Sequence, residues 1–150
     1  VPMALISLFV VSLIGQLLLT QDVIRRIRLT GGRGVWSDAV YALASYLEES
    51  RSDRIVCLNW EFRRPLFTLT QGGVPLEEIQ DADTLQKRMK EEKFQNTLFL
   101  MYEPRYSWYG VSFDAFENIL RENRQKPILE RVFRQKDGDS VYSLFRIQPE

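Results

Sequence analysis

Two short segments of the chain combine carboxylate, guanidinium and aromatic side chains, a mixture that suits sugar or phosphate binding. The first segment, 59–64, contributes Trp60, Glu61, Arg63 and Arg64. The second segment, 102–110, contributes Glu103, Arg105, Tyr106, Trp108 and Tyr109. Aromatic rings stack on the apolar face of a sugar, while carboxylates and guanidinium groups bond its hydroxyls or a phosphate. Both segments are therefore candidate contacts for a glycan, a lipid-linked sugar or an acceptor.

Each segment also has a plainer interpretation that the sequence leaves open. Trp60 would close the core if its ring points inward, with Glu61 paired to an arginine. The aromatic residues of 102–110 suit a membrane interface, a partner protein or core packing as well as a carbohydrate. Glu61 and Glu103 would act as a general acid and base only if their carboxyl groups lay close together. We therefore assign no catalytic residue to either segment.

The composition excludes several kinds of site. The 150 residues include no histidine, which excludes a Ser-His-Asp or Cys-His triad and a His-ligated zinc or haem site. Cys57 is the only cysteine, which excludes an internal disulfide and a cysteine zinc cluster, and we expect it to be a small core residue. Twenty basic and twenty acidic residues give no net charge. We therefore expect no nucleic-acid partner. The composition still permits oxygen-ligated metals, but no ligand set is identified, so we expect no metal or cofactor bound by this chain.

A long uncharged run begins the chain. Residues 1–21 carry no charge, and 1–19 are apolar apart from two serines, a glycine and a glutamine. Nineteen helical residues extend about 28 Å, close to the hydrocarbon thickness of a bilayer. A buried core helix normally keeps a polar face, and a signal peptide normally begins with basic residues; this run has neither. Among these three interpretations we favour a transmembrane helix over 1–28, followed by a soluble α/β domain over 29–150.

The residues around this span bear on its membrane context. It opens on Val1 and Pro2 with no methionine, so we expect the chain to belong to a longer membrane protein. The positive-inside tendency would place the basic stretch after the span in the cytoplasm. Long domains are translocated despite such charges, so the side of the membrane stays open. The stretch consists of Arg25, Arg26, Arg28 and Arg33.

Helices and strands alternate past the span. The glycines at 31, 32 and 34 match no phosphate-binding motif, so we interpret them as a flexible joint. Apolar residues at i, i+3, i+4 and i+7 predict a helix at 37–50 after this joint. Apolar runs at 54–60 and 97–102 are typical of buried strands. Further helices are predicted at 62–70, broken near Pro65; at 83–92, capped by Asp83; and from Ser112 through Asn123.

The predicted fold is a small three-layer α/β sandwich with a mixed sheet, preceded by the N-terminal hydrophobic helix. Two central, parallel strands supply the core of the sheet. An antiparallel C-terminal hairpin, 128–136 and 140–147, turns at Asp137-Gly138-Asp139 because Asp-Gly supplies the positive φ angles of a tight turn. If the central strands are neighbours, segments 59–64 and 102–110 converge at one edge of the sheet, where open α/β sheets bind their ligands.

Three stretches resemble a known family. They are Thr-Gly-Gly-x-Gly-x-Trp-Ser-Asp-Ala-Val-Tyr-x-Leu-Ala-x-Tyr-Leu at 30–47, Arg-Ile-Val-Cys-Leu-Asn-Trp-Glu at 54–61 and Pro-Leu-Phe-x-Leu-Thr-Gln-Gly at 65–72. With the preceding span they resemble the C-terminal part of bacterial multi-span glycosyltransferases of the GT-C superfamily, similar to the protein mannosyltransferase and aminoarabinose transferase groups. These enzymes transfer sugar from a polyprenyl-phosphate donor.

The resemblance implies a role without catalysis for this chain. In that family an acidic residue in an early extracytoplasmic loop is catalytic, usually with a divalent metal, and nothing here matches that motif. The resemblance therefore implies an extracytoplasmic domain at the bacterial inner membrane that covers the active site of its parent enzyme or helps to select the acceptor. The alternative is a membrane-anchored or partner-bound interaction module with no enzymatic activity.

Overall fold

The computed structural model describes residues 2–32, 34–92 and 94–149. In these ranges the chain is an α/β protein with a mixed five-stranded sheet and five α-helices, the first of which is the long apolar N-terminal helix. Arg33, the last residue of the basic stretch, and Val1 lie outside the described residues. The helices are α1 Pro2–Thr30, α2 Ala39–Glu49, α3 Arg63–Leu69, α4 Ala82–Glu91 and α5 Phe113–Glu122, with 3-10 turns at Gly34–Trp36 and Pro104–Tyr106. The strands are β1 Arg54–Cys57, β2 Leu76–Glu78, β3 Thr97–Tyr102, β4 Gln125–Arg134 and β5 Ser140–Pro149.

Helix α1 is long and apolar enough to cross a membrane. Within the qualifying stretch, Ile6–Thr30, an 18-residue window has a mean hydropathy of 1.7, and none of that window is buried against the rest of the protein. The helix continues two residues past the predicted end at residue 28. Its last turns are polar, with Arg26 paired to Asp22 at 2.8 Å. Lys136 Nζ donates to the carbonyl oxygen of Arg28 over 2.9 Å, so the end of α1 touches the turn between β4 and β5.

The strand order in the sheet is β2-β1-β3-β5-β4. Strand β1 is parallel to both β2 and β3, whereas β5 is antiparallel to β3 and to β4. The predicted pair of central parallel strands and the C-terminal hairpin are therefore confirmed. The register of β4 against β5 shifts between Leu129 and Arg131, which places a bulge in the outer strand.

Alternating side chains of the sheet pack against a helical layer on each face. Ile55 and Cys57 of β1 face α2 and α3, in one core cluster. Val56 between them faces α4 and α5, in the other cluster, together with Phe99 of β3. Side chains of this size each contribute about 1.5 to 3 kcal/mol when fully buried. The predicted three-layer sandwich is confirmed.

Besides shifts of one to three residues at the ends of α1, α2, β4 and β5, the structure differs from the sequence predictions at four places. Pro65 does not break α3, because it lies in the first helical turn, where the backbone N–H would have no partner in any case. Asp81 rather than Asp83 caps α4, its Oδ1 accepting from the Thr84 N–H over 2.7 Å. Strand β1 ends at Cys57 rather than at residue 60. The three-residue strand β2 was not predicted. The cap of α5 is confirmed, since the Ser112 hydroxyl accepts from the Ala115 N–H.

Candidate functional site

The carboxyl ends of β1 and β3 lie side by side, so the loops that follow them leave from one edge of the sheet. The predicted convergence of segments 59–64 and 102–110 is therefore confirmed. An isolated antiparallel bridge between Asn59 and Gly110 joins the two loops directly. We call the exposed surface here the aromatic edge and define it by Trp36, Trp60, Tyr106, Trp108 and Tyr109.

Two adjoining cavities open at the aromatic edge. The larger has a volume of about 880 Å³ and the smaller about 680 Å³. Trp36, Trp60 and Glu61 line both of them. Arg63 and Arg64 line the larger cavity. Arg105, Tyr106, Trp108 and Tyr109 line the smaller one. Eight of the nine residues predicted to contact a ligand thus surround one continuous region.

Apart from Tyr106, which is half-buried and packs against the core, the aromatic side chains at this edge are exposed. Trp36 is 81%, Trp108 84% and Tyr109 73% accessible to solvent. Trp60 is 52% accessible, so it does not close the core. The aromatic residue of this loop that packs into the core is Phe62, which is buried and stacks on Tyr102 with ring centroids 4.2 Å apart. Several exposed aromatic side chains around the same cavities make this edge the candidate binding or interaction site.

Glu61 lies between the two cavities in a strained backbone conformation. Its φ angle is +71°, in the left-handed region, which costs an L-residue about 1 to 2 kcal/mol. Strain of this kind is concentrated at functional sites. Within the described residues the Glu61 carboxylate has no hydrogen-bond or ion-pair partner, so the predicted alternative of a Glu61–arginine pair is not found there. The same holds for the guanidinium groups of Arg63 and Arg64.

Buried phenols lie beneath these cavities. Burial raises the pKa of Tyr102 well above its ordinary value, and the nearby Tyr142 and the charge of Glu61 raise it further. The pKa of Tyr142 is raised by burial and by Asp38. Both phenols therefore stay neutral at physiological pH. Tyr102 lines the smaller cavity.

Glu103 is the predicted residue that this site does not include. Its carboxylate accepts a short hydrogen bond from the Ser143 hydroxyl. Ser143 lies between Tyr142 and Leu144, whose side chains face α2 and α3, so alternation along β5 places it on the opposite face of the sheet. Glu61 lines the cavities together with Tyr102 on the α2 and α3 face. The two carboxylates are on opposite faces, which removes the general acid and base pair considered above.

Arg105 lines the smaller cavity but has protein partners. Its Nη1 pairs with Asp139 at 3.1 Å, and its Nη2 donates to the Ser140 carbonyl oxygen over 3.2 Å. The guanidinium also lies over the Tyr106 ring, 4.8 Å from the centroid. The hydrogen bond to Asp139 raises the pKa of Arg105 above its ordinary value. This arginine therefore holds the β4–β5 turn against the aromatic edge, and the free cations are on the side of the larger cavity.

Two residues of the site were missed from the sequence. Trp36 lines both cavities, but it lies in the short 3-10 turn after α1, and no sequence pattern indicated where its side chain would point.

Asn59 is the second residue, and it is fully buried and positions both loops. Its Nδ2 donates to Ser107 Oγ over 2.9 Å and to the Tyr109 carbonyl oxygen over 3.3 Å, while its Oδ1 accepts from the Tyr102 N–H over 2.8 Å. The sequence signal for this role was the presence of one polar residue, Asn59, in the otherwise apolar run predicted as a strand.

The described residues include no group of three or more Asp, Glu or Cys side chains arranged to hold a metal ion. The side chains at the aromatic edge can stack on a ring, accept hydrogen bonds from hydroxyls and pair with a phosphate. Comparison of the chain with protein-family models, with curated proteins and with solved structures finds no match.

Proposed function

We propose that this chain is a non-catalytic, extracytoplasmic C-terminal domain of a bacterial membrane glycosyltransferase that uses a polyprenyl-phosphate sugar. Its role is to recognise the sugar-bearing acceptor or donor, or to cover the active site. One observation carries the proposal: Trp36, Trp60 and Glu61 jointly line two cavities next to the end of an apolar helix of membrane-spanning length.

The chemistry of the cavities suits a sugar. The half-exposed indole of Trp60 offers a flat face on which a pyranose ring can stack. Glu61, free of partners among the described residues, can accept hydrogen bonds from sugar hydroxyls. A charge-assisted hydrogen bond of this kind contributes about 1.5 to 3 kcal/mol.

The charges of the larger cavity suit one phosphate rather than a polyanion. Arg63 and Arg64 line it, and arginine binds phosphate oxygens well. Three carboxylates line the same cavity, so its surface is not uniformly basic: Asp38, Glu61 and Glu78. A sugar joined to a single phosphodiester therefore fits better than a nucleic acid or a polyphosphate.

A titration tests ligand recognition directly. The full chain is reconstituted in lipid nanodiscs and titrated by calorimetry with a soluble mannose oligosaccharide and, separately, with a polyprenyl-phosphate sugar added to the nanodiscs. We expect Glu61→Gln to weaken binding about tenfold, which corresponds to about 1.4 kcal/mol. Glu91→Gln is the matched control, because Glu91 lies on α4, away from both cavities. Absence of binding by both ligands at millimolar concentration would contradict the proposed recognition role.

The membrane side is part of the same proposal and needs its own experiment. Protease added to intact spheroplasts digests only domains outside the inner membrane. We expect digestion of the segment past α1 without lysis. Protection in intact spheroplasts, with digestion after lysis, would place the domain in the cytoplasm and contradict the proposed location.

The alternative is a membrane-anchored interaction module without enzymatic kinship. The full exposure of the apolar part of α1 favours it, since neighbouring helices of another protein could cover that surface. The coding sequence before Val1 separates the two. Several upstream spans with an acidic motif in the first long outward loop support the glycosyltransferase, whereas a start codon next to Val1 contradicts it.

A further inference from the structure

We infer that the aromatic edge is seated on the surface of the membrane that α1 enters, with Trp36, Trp108 and Tyr109 in the lipid headgroup layer. The occupant of this surface is thus the bilayer itself. The inference rests on one part of the proposed function, the insertion of α1 into a membrane, and is independent of sugar binding.

The end of α1 contacts this edge of the sheet. The Asp38 N–H donates to the Gly31 carbonyl oxygen over 2.7 Å. Gly34 packs against the ring of Tyr106, so closely that a β-carbon on Gly34 would lie 2.9 Å from it. Lys136, in the β4–β5 turn, bonds the Arg28 carbonyl oxygen. That turn is at the same edge, because Tyr142 of β5 is paired with Tyr102 at the carboxyl end of β3.

The length of α1 sets the height of this edge above the bilayer. The uncharged run ends at Gln21, and the helix continues from Asp22 to Thr30. Nine helical residues rise about 13 Å, whereas one headgroup layer is roughly 5 to 7.5 Å deep, so the end of α1 lies about 6 to 8 Å beyond the headgroups, within reach of large side chains. The edge that touches the last turn of α1 is therefore the part of the domain nearest to the lipid.

The two ends of the sheet differ in composition as this arrangement requires. All three tryptophans of the chain are at the aromatic edge, where they are half to four-fifths exposed. The opposite edge presents the exposed polar residues Asp53, Gln95 and Asn96. Tryptophan and tyrosine are enriched at the headgroup level because their rings are amphipathic. Arg28, in the last turn of α1, and Lys136, in the turn that bonds it, are exposed cations that can pair with lipid phosphates.

Tryptophan quenching tests the arrangement in the full chain. The protein is reconstituted in phosphatidylethanolamine and phosphatidylglycerol vesicles, with and without lipid that carries a nitroxide on its headgroup. Two variants each keep one exposed indole: Trp36→Phe with Trp60→Phe leaves Trp108, and Trp60→Phe with Trp108→Phe leaves Trp36. The control replaces all three tryptophans by Phe and adds Gln95→Trp at the opposite edge, roughly 20 Å away along β3.

We expect the nitroxide lipid to lower the fluorescence of Trp108 and of Trp36 at least about twofold, as befits rings at the headgroup level. The fluorescence of the Gln95→Trp control should stay nearly unchanged. Quenching of Trp108 no stronger than that of the control would overturn the inference, and would instead favour a partner protein at this edge. Failure of the chain to enter the vesicles would overturn it as well. Absence of quenching leaves the sugar titration unaffected, so the two proposals fail separately there, whereas failure to enter vesicles would overturn the membrane span on which both rest.

Discussion

Asn59 Nδ2 donates a hydrogen bond to Ser107 Oγ over 2.9 Å, which ties the loop after β1 to the loop after β3. The two residues are 48 positions apart in the chain. The same amide also satisfies the buried N–H of Tyr102. The shape of the aromatic edge therefore depends on one side chain that lies beneath it and that no ligand would touch.

Replacement of Asn59 should destabilise the domain strongly. Asn59→Ala leaves the buried Tyr102 N–H unsatisfied, at a cost of about 1 to 3 kcal/mol, and removes the donor to the half-buried Ser107 hydroxyl. Urea denaturation should show a loss of about 2 to 4 kcal/mol in the free energy of unfolding. Asn118→Ala, at an exposed position of α5, is the control and should change it by less than about 0.5 kcal/mol. Equal effects of the two variants would show that the amide does not organise the loops.

The strained backbone of Glu61 predicts an unusual preference for glycine. Glu61→Gly and Glu61→Ala both remove the carboxylate, but only glycine adopts a φ of +71° without steric cost. The glycine variant should therefore be more stable than the alanine variant by about 1 kcal/mol, despite the greater flexibility of glycine in the unfolded chain. Parallel thermal or urea unfolding of the two variants measures this difference. An alanine variant as stable as the glycine variant would contradict the left-handed conformation.

Glu92 should make the free energy of unfolding depend on pH in the acidic range. Hydrogen bonds from Arg88 and then Arg54 lower the pKa of Glu92 below its ordinary value of 4.5. Because the folded-state pKa is depressed, the stabilisation is present above pH 4.5 and is lost as the pH falls through the folded-state value. Glu92→Gln should lower stability at neutral pH and flatten the decline below pH 4.5. Urea unfolding at several pH values measures this decline in the free energy of unfolding. The control variant Glu91→Gln should show the same decline as the unchanged protein.

The thiol of Cys57 should be inert in the folded protein. Cys57 is fully buried in β1, and burial raises its pKa well above the ordinary value, so almost no thiolate forms at neutral pH. Labelling by a thiol-specific disulfide reagent should be at least about a hundredfold slower in the native chain than in urea. The chain has no other cysteine, so the signal is unambiguous. Rapid labelling of the native chain would show that the central strand opens readily.

Elements with a strong local signal were predictable from the sequence. The runs at 54–57 and 97–102 are apolar on both faces, as strands covered by helices on two sides must be. Ser112 marked the start of α5, and Gly138, with a φ of +93°, marked the hairpin turn. Once these strands are parallel neighbours, the meeting of the two aromatic segments follows from topology.

The features that the sequence did not predict involve residues whose partners are distant in the chain. Strand β2 has three half-buried residues and is defined by its pairing with β1, so it leaves no periodic signal of its own. The direction of Glu103 depends on Ser143, 40 positions later. Trp36 joins the site because the end of α1 docks beside Tyr106. None of these relationships is encoded within one window of sequence.

If α1 anchors the chain in a membrane as proposed, the bulge in β4 also affects how copies on one membrane associate. A tethered domain is confined to a thin layer, where its local concentration is high and free sheet edges tend to recruit one another. Strand β4 is an outer strand of ten residues, long enough to invite such pairing. Its irregularity between Leu129 and Arg131, together with Pro127, interrupts the row of backbone donors that a second copy would need. Two copies on the same membrane can thus meet along β4 without forming a continuous intermolecular sheet.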